Sequence, residues 1–343
     1  MILPLLSEDV VWYGPATATF LVQFAGDPFD GAKSDVRVRF IGDRSQREER
    51  IAYFDPILGA WKATLYAKAG GSYRAVLIRN GKEASVEPTE GILDLDRADN
   101  VGIVLAMPGR PDRLCMDTGV PWVGLGADLG TSPTADKVDE LAKAGANWVR
   151  VTTPAEPWAD DSFGAVMDAI AKRGLGYTLV VPKDVSSAWR RYALARFAAS
   201  PRLIGWEGDP KLSDSWSRPT EPMADPWDGL FENRPGPFVV ERSDLSRLKA
   251  LRAVLKASEW ADWQSPRRWR GEKAKGVVES DRLILAAIPG AKLTGVPLAD
   301  GDYDLTTVDP ATGASTVGRT RVEHATLDLA VPAERFFVLR RRL

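Results

Sequence analysis

Cysteine and histidine are almost absent from this sequence of 343 residues, which has one of each, Cys115 and His324. A single cysteine excludes an internal disulfide framework. A single histidine excludes the commonest zinc sites and any catalytic pair of histidines. His324 lies beside a predicted turn, where we interpret it as a structural residue. The sequence therefore predicts no cofactor and no metal site, and any metal chemistry would have to use oxygen ligands.

Long apolar runs and an excess of one charge are missing as well. No apolar run approaches the ~20 residues that span a bilayer, so we expect no transmembrane segment. The N-terminus, MILPLLSEDV, lacks both a basic region and a long apolar stretch, so we expect no signal peptide there. The 45 basic and 47 acidic residues give a net charge of -2, which does not supply the positive field that nucleic acids require. Nucleic acid is therefore not an expected partner.

Both ends of the chain have β patterns. Up to about residue 107, short alternating runs such as DVRVRFI are separated by Gly, Pro and Asp, and Asn80-Gly81 is a signal for a two-residue hairpin. From about residue 275, runs such as RLILAAIPG have the same character. We therefore predict an immunoglobulin-like β-sandwich over residues 1-110 and a second, C-terminal β-sandwich over residues 271-343.

Strands and helices alternate in the middle of the chain, over residues 111-270. A strand ends in VPWVGLGADLG, and the helix after it has Thr134 as its predicted N-cap and Gly145 as its predicted end. The rhythm repeats as far as RLIGWE, and one more unit begins at FVVE. Such alternation is the βαβ signature of a parallel sheet or barrel. Residues 210-237 carry six prolines and no sustained period, which predicts a long loop.

The order of these parts resembles bacterial glycoside hydrolases that have a (β/α)8 catalytic barrel. It is similar in particular to apiosidase-like and cellulase-like enzymes with an N-terminal immunoglobulin-like domain and a C-terminal domain labelled collagen-binding. The resemblance covers the whole chain loosely and rests on GANWVRV, SPRLIGWE and YDLTTVDPATG. It implies a shortened TIM-barrel-like α/β domain between the two sandwiches, and an extracytoplasmic location.

The resemblance also implies a pair of catalytic carboxylates. In these enzymes the fourth barrel strand ends in Trp-Glu and is followed shortly by Asn-Glu, whose glutamate is the acid/base. Here Trp206 and Glu207 match the first pair, but GDP replaces the second, which makes Asp209 the substitute acid. Glu241, in GPFVVERS, takes the place of the nucleophile. A hydrolase would use Glu207 and Glu241 together, because hydrolysis needs two acidic groups that face one bond.

Two hypotheses of function remain open. In the first, the protein is a degenerate, non-catalytic relative of these enzymes that binds saccharide or serves as a structural subunit of an assembly. Aromatic faces stack on sugar rings, which makes Trp206, Trp216 and Trp227 the candidate ligand-binding residues. In the second, the protein is an active glycoside hydrolase. The altered motif and the short central segment favour the first hypothesis.

The central segment is short for a barrel. A (β/α)8 barrel takes ~250 residues, whereas residues 121 to 262 are all that lie between the two β regions. Three βα units are therefore missing from the pattern, and five strands would form an open half-barrel with unpaired edges and an apolar face. We expect a protein partner or self-association to cover this face, unless the proline-rich loop folds over it.

Limited proteolysis should cut the chain first between residues 210 and 236, because prolines and polar residues leave little backbone pairing there. Mass spectrometry of the earliest fragments would locate the cuts. Resistance of this segment to several proteases would show that it is packed and that the prediction of a loop is wrong.

Overall fold

The computed structural model describes residues 16–30, 33–67, 69–89, 91–95, 103–107, 110–116, 119–182, 184–208, 238–240, 245–260, 263 and 266–342. Over these residues the chain is mostly β, with strands arranged in five sheets and a smaller number of helices. None of the helices in the described part of the chain is long and apolar enough to cross a membrane.

The N-terminal part is built from two antiparallel sheets. Its strands are β1 (Ala16–Phe20), β2 (Val36–Gly42), β3 (Arg47–Ile51), β4 (Tyr53–Asp55), β5 (Ala60–Leu65), β6 (Gly71–Arg79), β7 (Lys82–Glu83) and β8 (Ile92–Leu95). One sheet has the order β1-β5-β4, and the other has the order β3-β2-β6-β7 with β8 also paired to β6. Buried side chains of both sheets, including Phe20, Phe40 and Trp61, form one core.

The hairpin predicted at Asn80-Gly81 is confirmed. It joins β6 to β7, and Arg79 pairs with Lys82 across the turn. Both turn residues have positive φ, 48° at Asn80 and 78° at Gly81. This backbone conformation matches the twist of the two flanking strands, which is why the Asn-Gly pair is a reliable local signal.

A parallel sheet of five strands lies at the centre. Its strands are β12 (Leu125–Asp128), β13 (Trp148–Thr152), β14 (Gly176–Val180), β15 (Leu203–Glu207) and β16 (Phe238–Val240), and a small antiparallel sheet before them has β9 (Val104–Met107), β10 (Arg110–Met116) and β11 (Pro121–Trp122). The parallel strands have the order β15-β14-β13-β12-β16. The last of them in sequence therefore pairs with the first, which is the neighbour relation that closes a barrel.

Local signals set the ends of the helices. The helices are α1 (Ala135–Ala144), α2 (Asp161–Arg173), α3 (Ser187–Phe197) and α4 (Leu245–Ser258). The predicted caps of α1 are confirmed: Thr134 Oγ1 accepts from the Lys137 amide at 3.4 Å, and Gly145 ends the helix with φ of 95°. Asp160 and Ser186 cap α2 and α3 in the same way.

The four helices of the described residues pack on one face of the parallel sheet. Val149, Val151 and Leu179 lie at alternate positions of their strands and share one buried cluster with side chains of every helix. An open sheet that is wound in both directions has helices on both faces, whereas a barrel has them on the outside alone. The parallel sheet is therefore a half-barrel, and its other face is an inner face.

The inner face is covered in part by the small sheet β9–β11. Trp148 and Ile204 project from the inner face into a cluster with Val104 and Leu114 of that small sheet. Trp148 Nε1 also donates a hydrogen bond to the buried Thr178 Oγ1 at 3.2 Å. The chain thus supplies a cover near the amino ends of its own parallel strands. Association with a partner stays a prediction, and part of the inner face on which it rested is covered by the chain itself.

The C-terminal part is one antiparallel sheet. Its strands are β17 (Arg267–Glu279), β18 (Arg282–Lys292), β19 (Gly301–Val308), β20 (Ser315–Glu323), β21 (Thr326–Leu327) and β22 (Arg335–Arg341), in the order β17-β18-β22-β19-β20-β21. Val277, Ile284 and Val338 on one face belong to the same cluster as α4. A separate buried cluster of the same strands contains Val278, Tyr303 and Val322. The second sandwich therefore stays a prediction.

Aromatic side chains join the N-terminal sheets to α3 and the loop before α2. Phe29 stacks on Trp158 with ring centroids 4.6 Å apart, and Tyr53 meets Tyr192 edge to face at 5.8 Å. Burial raises the pKa of Tyr53 to about 12. Aromatic contacts thus link the N-terminal sheets to the helices of the half-barrel. The domain boundaries near residues 110 and 270 stay predictions.

Gly126 allows the close approach of Trp148 on the inner face. A Cβ atom at Gly126 would lie 1.8 Å from the Trp148 carbonyl oxygen and 2.6 Å from its indole ring. Gly126→Ala should therefore lower the free energy of unfolding by about 3 kcal/mol or more, measured by denaturant titration. Gly164→Ala is the matched control, because a Cβ there meets nothing within 4 Å.

Gly164 lies in α2, where alanine should stabilise the helix by about 0.5–1 kcal/mol. Equal effects of the two substitutions would contradict the packing described for the inner face.

Candidate functional site

Three charged side chains meet on the inner face where the parallel strands end. Asp128 is the last residue of β12, Glu207 is the last residue of β15, and Arg150 lies in β13 between two residues that face the helices. Because side chains alternate along a strand, Arg150 faces the inner side. The register places Asp128 beside Arg150. Ligands of parallel α/β proteins bind at this carboxyl edge.

The Arg150 guanidinium bridges the two carboxylates. Its Nε donates to Glu207 Oε2 at 2.8 Å and its Nη2 donates to Glu207 Oε1 at 2.6 Å. Its Nη1 donates to Asp128 Oδ2. All three side chains are partly buried, with exposed fractions of 23% for Arg150, 31% for Asp128 and 15% for Glu207. Two-point pairing of this kind fixes geometry as well as charge.

The network keeps Arg150 charged. Hydrogen bonding to Glu207, together with the negative charges of Asp128 and Glu207, outweighs burial and raises the pKa of Arg150 above its ordinary value. Both oxygens of Glu207 accept hydrogen bonds from this cation.

Backbone contacts fix both carboxylates in place. Gly208 follows Glu207 with φ of 104°, and a Cβ there would lie 2.7 Å from the Val181 carbonyl oxygen. The Val181 amide donates to the Glu207 carbonyl at 2.7 Å. At the other end of the network, Asp128 Oδ1 accepts from the Gly130 amide at 2.8 Å. The network is thus preorganised by the ends of the strands.

An open cleft of about 860 Å³ begins at Asp128 and runs between the loop after β12 and the start of α4. Small-molecule sites have this size. Lys137 Nζ, at its edge, donates to the Ser132 carbonyl at 2.5 Å. The cleft is lined by Asp128, Leu129, Gly130, Thr131, Ser132, Lys137, Glu140, Leu245 and Ser246. Hydroxyl, carboxylate and ammonium groups thus surround a space that continues from the charged network.

The structure places two of the predicted site residues, Trp206 and Glu207. Glu207 lies in the charged network. Its neighbour Trp206 is 1% exposed and belongs to the cluster on the helical side of the sheet, so stacking on a sugar would require the ring to be uncovered. Its role as a ligand-binding residue stays a prediction. The remaining candidates lie outside the described residues, and their roles also stay predictions: Asp209, Trp216, Trp227 and Glu241.

Two residues of the network were missed by the sequence analysis, namely Asp128 and Arg150. The available signal was an arginine inside the apolar run WVRV, flanked on both sides by valines that are now known to be buried. A charged residue at such a position needs a partner. The sequence alone does not show that this partner is Glu207, which lies 57 residues further on.

Metal binding finds no support in the part of the chain that the structure describes, where no group of three or more candidate ligands comes together.

Comparison with known proteins places the fold among glycoside-hydrolase-like structures. The chain is similar to a protein from Bacteroides vulgatus ATCC 8482 described as a "putative glycoside hydrolase", with a TM-score of 0.61 and 11% sequence identity, over 96% of this chain and 98% of the other. A second structure, described as "Glycoside hydrolase", has a TM-score of 0.42 and 9% identity, over 70% of this chain and 97% of its own. No family model matches the chain, and no curated protein matches it.

The first of these likenesses extends over nearly the whole of both chains. At this low identity it shows the fold alone. The expected similarity to glycoside hydrolases is therefore confirmed for the fold, and the function has to be argued from the charged network.

A double-mutant cycle should show that Arg150 and Glu207 are coupled. Arg150→Met leaves two partly buried carboxylates without their cation and should destabilise the protein by about 1–3 kcal/mol. Adding Glu207→Gln should restore part of this loss, with a coupling energy of about 1 kcal/mol or more. Chemical denaturation of the four proteins measures each step.

The control is Arg173→Met, which breaks the exposed pair that Arg173 forms with Asp139 at 2.6 Å. It should leave stability unchanged within error, because water screens such pairs. Additivity of Arg150→Met and Glu207→Gln would show that the described ion pair does not form in solution.

Proposed function

We propose that this protein is a non-catalytic, glycoside-hydrolase-like protein that binds saccharide at the carboxyl edge of its parallel sheet. One observation carries the proposal: both oxygens of Glu207 accept hydrogen bonds from the Arg150 guanidinium. In a hydrolase of this fold, a carboxyl group at this edge must donate a proton to the leaving oxygen. Here Arg150 engages both oxygens of Glu207, and GDP replaces the Asn-Glu element that supplies the acid in the resembled enzymes.

The network suits the recognition of hydroxyl groups. An ionised carboxylate offers about four acceptor positions, and Arg150 occupies two of those on Glu207. Asp128 uses one oxygen for Arg150 and the other for the Gly130 amide. The remaining lone pairs can accept from sugar hydroxyls. The adjoining cleft, lined by Thr131, Ser132 and other polar residues, offers further partners of the same kind.

The altered sequence after β15 supports the same proposal. Where the resembled enzymes have Asn-Glu, this chain has GDP, and the glycine of that segment approaches the Val181 carbonyl too closely for a side chain. The proposed alternative is an active glycoside hydrolase that uses Glu207 and Glu241 as its carboxylate pair, with Asp209 as substitute acid. A structural role in an assembly is less well supported, because β9–β11 already covers part of the inner face.

Binding should be measured by isothermal titration calorimetry with a panel of neutral oligosaccharides of hexose and pentose units. We expect saturable binding that weakens at least about tenfold, or 1.4 kcal/mol, in Glu207→Gln, because the amide group loses acceptor capacity and releases Arg150. Arg173→Met, which breaks an exposed pair away from the sheet edge, should bind like the parent. Absence of binding to every member of the panel would overturn the proposal.

Turnover of aryl glycosides separates the proposed function from its alternative. We expect no turnover above that of a buffer control. Robust turnover that is lost in both Glu207→Gln and Glu241→Gln would establish the hydrolase. Turnover that survives both substitutions would remove Glu207 and Glu241 from any catalytic role.

A further inference from the structure

The first strand of the C-terminal sheet is strongly basic, although the protein as a whole carries a slight negative charge. Residues 267–275, RRWRGEKAK, contain five basic residues and one acidic residue. All five basic side chains are exposed, and the acidic one, Glu272, pairs with Lys292 of the next strand at 3.2 Å. The neighbouring strand therefore cancels the single negative charge of this segment. We call residues 267–275 the basic strip.

Most cations of the basic strip lack a carboxylate partner. In the part of the chain that the structure describes, no carboxylate forms an ion pair with Arg267, Arg268, Arg270 or Lys273. Arginines elsewhere in the same sheet do have one: Arg282 pairs with Glu279 at 3.1 Å and Arg340 pairs with Glu259 at 2.7 Å. The basic strip is thus an unbalanced concentration of positive charge.

The basic strip lies at an edge of the sheet. β17 is the terminal strand in the order β17-β18-β22-β19-β20-β21. Charged side chains on an edge strand discourage pairing with other chains, and one or two suffice for that purpose. The basic strip has five basic residues in nine positions, which is more than the protection of an edge strand needs. Arg268 and Arg270 project to the same side, about 7 Å apart by strand geometry, so that an extended polyanion can lie along the strand.

The burial of Trp269, the aromatic residue of the basic strip, favours an acidic saccharide over single-stranded nucleic acid as the ligand. Trp269 is 8% exposed and its Nε1 donates to the Gly295 carbonyl at 2.8 Å, so it offers no stacking surface. Proteins that bind single-stranded nucleic acid combine positive charge with exposed aromatic rings on which bases stack. An acidic saccharide needs only cations and hydrogen-bond donors, and arginine donates to carboxylate and sulfate groups in pairs.

We infer that the basic strip is a second binding surface, separate from the carboxyl edge of the parallel sheet, and that it takes a linear anionic polysaccharide. Arg268, Arg270 and Lys273 make the principal contacts. The charge complementarity is with carboxylate or sulfate groups repeated along an extended chain. Binding at this surface does not depend on Glu207 or Arg150, which lie in a different sheet.

The test compares two triple variants with the same change in net charge. Arg268→Gln/Arg270→Gln/Lys273→Gln removes the centre of the strip. Its control, Lys82→Gln/Lys143→Gln/Lys172→Gln, removes three exposed cations that are scattered over β7, α1 and α2. Binding to polygalacturonate, dextran sulfate and neutral dextran is measured by affinity electrophoresis and calorimetry at two salt concentrations, with circular dichroism to verify the fold.

The parent protein should bind one or both polyanions more tightly than neutral dextran. At low salt the strip variant should bind roughly tenfold or more weakly and with a smaller dependence on salt, because fewer counterions are released. The scattered control should bind within about twofold of the parent. Polygalacturonate and dextran sulfate distinguish carboxylated from sulfated saccharides as the preferred class.

Three results would overturn the inference. The first is no binding of the parent to either polyanion. The second is an equal loss in the two triple variants, which would show a response to net charge alone. The third is binding of duplex DNA as tight as that of the polysaccharides and equally lost in the strip variant, which would assign the surface to nucleic acid. None of these results bears on the proposed function, which is tested separately by titrating Glu207→Gln with neutral oligosaccharides.

Discussion

An open parallel sheet has two faces and two edges that must be protected from water, and the arrangement of this chain follows from that requirement. Helices cover only the outer face, where Val149 and Val151 pack. The inner face of a closed barrel would be filled by its other strands. Here Trp148 and Ile204 pack instead against Val104 and Leu114 of a small antiparallel sheet that precedes the half-barrel. The cover reaches the amino ends of the strands and leaves charged groups at the carboxyl ends.

The small sheet covers only the amino ends of the parallel strands, which leaves the carboxyl ends for the charged network. Trp148 and Arg150 lie two residues apart on the same face of β13, one in an apolar cluster and one between two carboxylates. The apolar cluster around Trp148 excludes water near the amino ends of the strands. The carboxyl ends of the strands hold Asp128 and Glu207 beside Arg150. The carboxylates and Arg150 are thus oriented at one edge of the sheet by the strands themselves.

Local features of the fold could be predicted from the sequence, and non-local ones could not. The hairpin at Asn80-Gly81 and the caps of α1 depend on neighbouring residues, which a sequence pattern shows directly. The C-terminal strands were predicted, but the packing of some of their side chains against α4 was not, because that helix comes from an earlier part of the chain. Glu207 was identified through a short resemblance, whereas its partner Arg150 lies 57 residues away. An ion pair between such distant residues depends on the order of the strands in the sheet, which a local sequence pattern does not show.

Helix α4 belongs to two layers at once. Leu248, Leu251 and Val254 share a cluster with the parallel sheet and with residues of the C-terminal sheet as late as Val338. During synthesis on the ribosome, β12–β15 and α1–α3 therefore emerge before the strands that cover the other side of α4. One side of this helix stays uncovered until β22 has been made, so the core of the half-barrel is completed only by a sheet that lies later in the sequence.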